Sequence, residues 1–235
     1  MTKKKNDKST GKTPVGKIMI AVAIAAVAGF GAVYVNMGDD SNVAQTAITQ
    51  SGKPERPAKS GLAAYSKGAM TTFVARAEPQ KLPEFTFLRD DGSETSLAEW
   101  RGKVVLLNLW ATWCAPCRKE MPDLDRLQAE LGGDDFDLVA LSIDRTGLDK
   151  PRAFLKEIGI EHLKLYNNSS GKLAASLKAF GMPTTLLINR EGEEIGRLVG
   201  PAEWGSQDAV DLVKAAIAQE AGRPQPDQAR VDGHP

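Results

Sequence analysis

The chain has 235 residues, 42% hydrophobic and 26% charged, close to an ordinary globular average; this excludes a wholly disordered chain and a multi-span membrane protein. Thirty basic residues balance thirty acidic ones, so no nucleic-acid partner is expected. Two cysteines exclude a disulfide-rich scaffold and a four-cysteine zinc site.

The charge balance hides an asymmetry. Residues 1–17 hold six lysines against Asp7, a basic tail of local charge +5, and the rest of the chain carries 24 basic and 29 acidic residues. From Ile18 to Val35 run 18 uncharged residues, roughly 27 Å at helical rise and near the hydrocarbon thickness of a bilayer. This run reads as an uncleaved transmembrane anchor; a cleaved signal peptide and a buried core helix are the alternatives. Lysines before it, with Asp39 and Asp40 after it, place the N-terminus in the cytoplasm and the remainder outside, where disulfides persist.

Residues 36–81 are poor in large apolar side chains and read as a linker, with a short helix expected from Leu62 to Ala75. One domain is expected over residues 82–221. The stretches from Phe85 to Leu88 and from Glu94 to Ser96 flank Asp90-Asp91-Gly92-Ser93, a β-hairpin signal. The apolar run from Val104 to Leu109 reads as a buried central strand. Cys117, Met121, Leu124, Leu127 and Leu131 recur at helical spacing. A second buried strand is expected from Leu138 to Ile143, and a helix from Asp149 to Ile158. A short strand from His162 to Leu165 and a helix from Leu173 to Phe180 should follow. Strands from Thr184 to Asn189 and from Ile195 to Val199 flank a second hairpin turn, and a helix from Asp208 to Glu220 closes the domain. Residues 222–235 hold three prolines and read as a disordered tail. This order predicts an α/β fold: a mixed sheet with helices on both faces and an N-terminal β-hairpin, preceded by one transmembrane helix.

Both cysteines lie in Trp110-Ala-Thr-Trp-Cys114-Ala-Pro-Cys117, where a buried strand ends and a long helix begins. A thiol there faces the unpaired N–H groups and positive dipole end of the helix, which favour thiolate, the attacking form in disulfide exchange. The two-residue spacer puts the second sulfur one helical turn on. A purely structural disulfide is the alternative, but it would close too small a loop to constrain much chain entropy.

The run from Trp110 to Pro122 resembles the active site of the thioredoxin superfamily. More narrowly it resembles the membrane-anchored TlpA/ResA branch of extracytoplasmic thiol:disulfide interchange proteins. Phe180-Gly-Met-Pro-Thr-Thr185 is similar to the cis-proline loop of that family. The resemblance implies a thioredoxin-like domain on the inner (cytoplasmic) membrane facing the periplasm, monomeric, without cofactor or metal. It implies Cys114 as nucleophile and Cys117 as the resolving thiol of a redox-active disulfide. It also implies a substrate-binding surface from Trp113, Met182 and Pro183, with Pro183 after a cis bond and Trp110 and Trp113 framing an apolar rim; an ordinary trans proline that stops a helix, and plain core or surface packing of the two tryptophans, are the alternatives. Many thioredoxins carry a buried acid where this chain has Asn108. Glu120 matches an acid of ResA-like proteins and is the candidate proton acceptor for Cys117; a solvated helix glutamate is the alternative. Ala115 and Pro116 bring no positive charge near Cys114, which favours a reductase. The implied partners are cysteine-containing protein substrates and a membrane thiol transporter as electron donor, with a role in cytochrome oxidase copper-site assembly or cytochrome c maturation. The competing reading is a thioredoxin-fold copper chaperone with His162 as a third ligand.

Overall fold

Strand β4 (Val104–Trp110) is buried at all seven positions, which demands partners on both edges and cover on both faces. The computed structural model describes residues 61–222 and supplies them. β5 (Phe136–Ser142) runs parallel on one edge, with Leu138 opposite Leu106. β7 (Thr184–Ile188) runs antiparallel on the other, with Leu187 opposite Leu106. With β1 (Val74–Lys81), β2 (Thr86–Arg89), β3 (Glu94–Ser96), β6 (Tyr166–Asn167) and β8 (Glu193–Val199), they form an eight-stranded sheet in the order β1-β8-β7-β4-β5-β6-β2-β3. The hairpins β2–β3 and β7–β8 form at the expected turns.

Alternation along β4 divides the core. Val104, Leu106 and Trp110 face a cluster built with α1 (Ala115–Leu131), α4 (Gln207–Ala221) and Phe154 of α2 (Asp149–Glu157). Val105, Leu107 and Leu109 face Trp100, Tyr166 and Leu173 of α3 (Leu173–Ser176). The sheet is therefore mixed, with helices on both faces. The basic tail, the run from Ile18 to Val35, the linker before residue 61 and the tail after residue 222 lie outside the described residues. Among the described residues, no helix is long and apolar enough to cross a membrane.

Three elements differ from expectation. The helix expected from Leu62 to Ala75 is replaced by two short 3-10 turns, Gly61–Tyr65 and Gly68–Met70, followed by β1. Leu62, Met70 and Phe73 are buried in the main core, so residues 61–81 belong to the packed body. Gly196 on β8 makes this possible: a Cβ there would stand 2.2 Å from the Phe73 ring. β1 is irregular between Ala75 and Gln80, around Pro79, as suits an outer strand. Arg76 and Arg197 both bond the buried carboxylate of Glu194, which ties β1 to β8.

The strand expected from His162 to Leu165 instead lies at residues 166–167. The backbone N–H groups of His162 and Leu163 each donate to Asp125 of α1 at 2.8 Å, so a helix side chain takes the bonds a sheet neighbour would have taken. The helix expected to reach Phe180 stops after one turn. Lys178 adopts a left-handed conformation (φ 54), its N–H bonds Ala175 O, and the Ala179 N–H bonds Ala174 O, a Schellman end.

Candidate active site

The chain leaves β4 at Trp110 and turns within four residues into α1. Trp110 is fully buried, its ring 5.8 Å from that of Phe154, so of the two readings core packing holds for it and the rim does not. Trp113 is turned outward and 66% exposed.

Cys114 caps the helix. Its backbone is extended (φ −88, ψ 99), and its Sγ accepts the Cys117 N–H at 3.3 Å. This N–H is one of those a helix start leaves unpaired, and together with the dipole it favours negative charge on the sulfur. Pro116 occupies the first turn, where its missing N–H costs no helix hydrogen bond. The two sulfurs are joined as a disulfide, with Cα atoms 5.3 Å apart. Cys114 keeps a small opening to solvent and Cys117 has none. Of the two residues, only Cys114 offers an incoming thiolate any surface.

Glu120 is buried at 4% exposure, not solvated among its basic neighbours. Its Oε1 accepts the Ala202 N–H at 2.6 Å, from the loop that precedes α4. The buried indole N–H of Trp204 is its other polar neighbour. Burial pushes the carboxyl up from 4.5 to about 7; the Ala202 N–H and the nearby Trp204 oppose this, and Asp123 adds a smaller upward push. The site thus holds a carboxyl that titrates near neutrality one helical turn from Cys117. Asn108 lies fully buried on β4 and donates to Thr185 Oγ1 at 2.9 Å.

The Met182–Pro183 bond is cis, as expected. Pro183 is buried and its carbonyl accepts the Gly200 N–H, while Met182 packs against the cluster that contains both cysteines and Trp204. Among the described residues nothing hydrogen-bonds the Met182 main chain, which leaves an open donor and acceptor there. Phe180, two residues earlier, is 88% exposed. Among the described residues no group of three or more His, Cys, Asp or Glu could hold a metal ion, so His162 is not gathered with the two cysteines.

Sequence reading missed Asp144. Its buried carboxylate accepts the Thr112 N–H at 2.8 Å, the Thr112 hydroxyl at 2.7 Å and the Ser142 hydroxyl at 2.9 Å. It braces the loop that delivers Trp113 and Cys114. Asp144→Asn turns an amide donor towards donors already aimed at it. We expect a stability loss of about 2 kcal/mol, the scale of a hydrogen bond to a charged group, in urea unfolding of the oxidised protein. An unchanged midpoint would show that the brace contributes nothing.

The Redoxin family model matches residues 77–215. The thioredoxin-like protein YneN of Bacillus subtilis is 33% identical over 123 residues, which cover 51% of this chain and 69% of that protein. The thiol-disulfide oxidoreductase ResA of the same organism is 27% identical over 139 residues, covering 59% and 76%. Among solved structures, a thiol:disulfide interchange protein of the thioredoxin family from Chlorobium tepidum aligns with a TM-score of 0.50 and 29% identity, over 60-odd per cent of this chain (61%) and 99% of that one. With a cysteine pair at the start of α1 and the Met182-Pro183 loop on the same core cluster, and a family model matched over more than half its length, the chain belongs to the Redoxin family, as a ResA/TlpA-like protein of the thioredoxin superfamily.

Proposed function

We propose that this thiol-disulfide oxidoreductase works as a dithiol reductase of protein disulfides outside the cytoplasm. The observation that carries the reading is the asymmetry of the pair: an accessible sulfur capping a helix, and a sealed one a turn inside beside a carboxyl raised to about 7.

In the reduced state, Cys114 thiolate attacks one sulfur of the substrate disulfide. One S–S bond breaks, a mixed disulfide forms, and the first substrate sulfur leaves as thiolate and takes up a proton. Glu120 then accepts the Cys117 proton, directly or through a water. Cys117 thiolate attacks Cys114 Sγ and re-forms the bond now seen, and the second substrate sulfur leaves and is protonated. Two electrons pass from the protein dithiol to the substrate. Trp113 and the open main chain of Met182 hold the substrate peptide, the latter by strand-like hydrogen bonds beside Pro183.

An anchor from Ile18 to Val35 would keep the domain at the outer face of the inner membrane. A membrane thiol transporter would return the pair to the dithiol. The expected substrates are oxidised copper-site proteins of cytochrome oxidase or the haem-binding cysteines of apocytochrome c.

The direction of the reaction is tested by equilibrating the full chain, in detergent, with redox buffers of known potential. The uncharged Ala115-Pro116 spacer predicts a potential near that of thioredoxin, about −270 mV, and far from the roughly −120 mV of a strong oxidant. A value at the oxidising end would sink the reductase reading.

A further inference from the structure

Beside Trp113 the surface opens into a cleft of about 560 Å³. Its lining includes Thr112, Trp113, Asp144, Arg145, Lys150 and Gly171. Its two cations lack carboxylate partners. Arg145 and Lys150 are exposed, and neither joins any ion pair among the described residues. The acid next to Lys150 in sequence, Asp149, pairs with Arg152 instead. The oxygens of Asp144, the acid next to Arg145, are taken by Thr112 and Ser142. Arg145 also has a seat. Gly171 has φ +67, and a Cβ there would stand 2.7 Å from Arg145 Nε, so the guanidinium lies close over bare backbone at the cleft.

Trp113 immediately precedes Cys114. A peptide whose sulfur meets Cys114 and whose chain crosses Trp113 passes the mouth of this cleft, because Trp113 lines it, and extended chain advances about 3.3 Å per residue. Arg offers a planar fork of donors suited to a carboxylate, and Lys a second point charge.

We propose that this cleft is a specificity subsite for an acidic side chain placed two or three residues from the reacting cysteine, so that the preferred substrates are disulfides flanked by Asp or Glu. The inference rests on the reductase reading and deepens it. A carboxylate held by both cations gains about three-fold from each, the scale of solvent-facing pairs, and so about ten-fold together. Part of this gain appears in association rate and is screened by salt.

The test uses two disulfide peptides that differ only in Glu or Gln beside one cysteine, and the full chain in reduced form. The expected kcat/KM is about ten-fold higher for the Glu peptide at low salt, falling towards parity at 0.5 M salt, roughly a 4 Å screening length. In the Arg145→Ala/Lys150→Ala double variant the Glu/Gln ratio should fall close to one. That ratio is internal to each preparation, so partial loss of folded protein cancels. Equal rates in the wild-type chain, or a ratio that survives in the double variant, would overturn the subsite and leave the reductase reading standing. Failure of the wild-type chain to reduce either peptide would overturn both.

Discussion

Cys117→Ser should arrest the reaction at the mixed disulfide and lower turnover by ~10³-fold or more, the scale on which removal of a covalent participant acts. Cys114 remains accessible at the start of α1 and still attacks. What is lost is the only sulfur one turn away that can attack it in return. In the absence of added thiol nothing replaces it, because the approach to Cys114 from the side of Cys117 is sealed from solvent. The adduct should therefore accumulate as one covalent species of chain plus substrate on a non-reducing gel, and mass spectrometry of it should identify the partner. Cys114→Ser should form no adduct. An adduct trapped through Cys117 in that second variant would reverse the assigned roles.

Glu120→Gln should slow resolution by ~10²-fold while leaving the first attack intact. With its carboxyl raised to about 7, Glu120 is the group whose base form grows across the neutral range. Stopped-flow resolution in the wild-type chain should rise with pH through about 7, and the variant should lose that limb. The oxidised protein offers a separate readout in its stability. The folded state binds a proton on Glu120 that the unfolded chain releases near 4.5, so unfolding sheds a proton between about 4.5 and 7. Stability is then highest at the acid end of this window, falls as pH rises through it, and levels off above about 7. The full change is ~3 kcal/mol, the energy equivalent of the displacement. Gln should abolish this slope in urea unfolding. A variant with unchanged resolution and an unchanged slope would reduce Glu120 to a packing residue.

How far the sequence disclosed these features depended on how far apart the interacting residues lie. β4 was legible because its cause is written in its own seven residues, and the cysteine pair because helix start and spacer are local. The two hairpins carried turn residues that name their own geometry. β1 was not legible. Most of its positions are exposed and carry no apolar alternation, and its partner β8 lies more than a hundred residues on. The burial of Glu120 is likewise imposed from 82 residues away, by the Ala202 loop, and Asp144 reaches Thr112 across 32. The shift of β6 and the early end of α3 were decided by a distant carboxylate and by a lysine taking a conformation usual for glycine.

The pairing of β1 with β8 has a consequence for the order in which the chain is made. Val74 pairs with Arg197, so the earliest strand of the described residues waits for the last. At about 5–20 residues per second, the intervening stretch takes on the order of 6–25 s to synthesise, against microseconds for a hairpin to close. Elongation, not chain diffusion, therefore times the closing of the sheet. Throughout that interval Phe73 and Met70 have no cover, and once β7 is made its free edge is a template for another chain until β8 arrives. A chain terminated before residue 193 would keep that edge permanently and be prone to aggregate, although its cysteine pair is already complete.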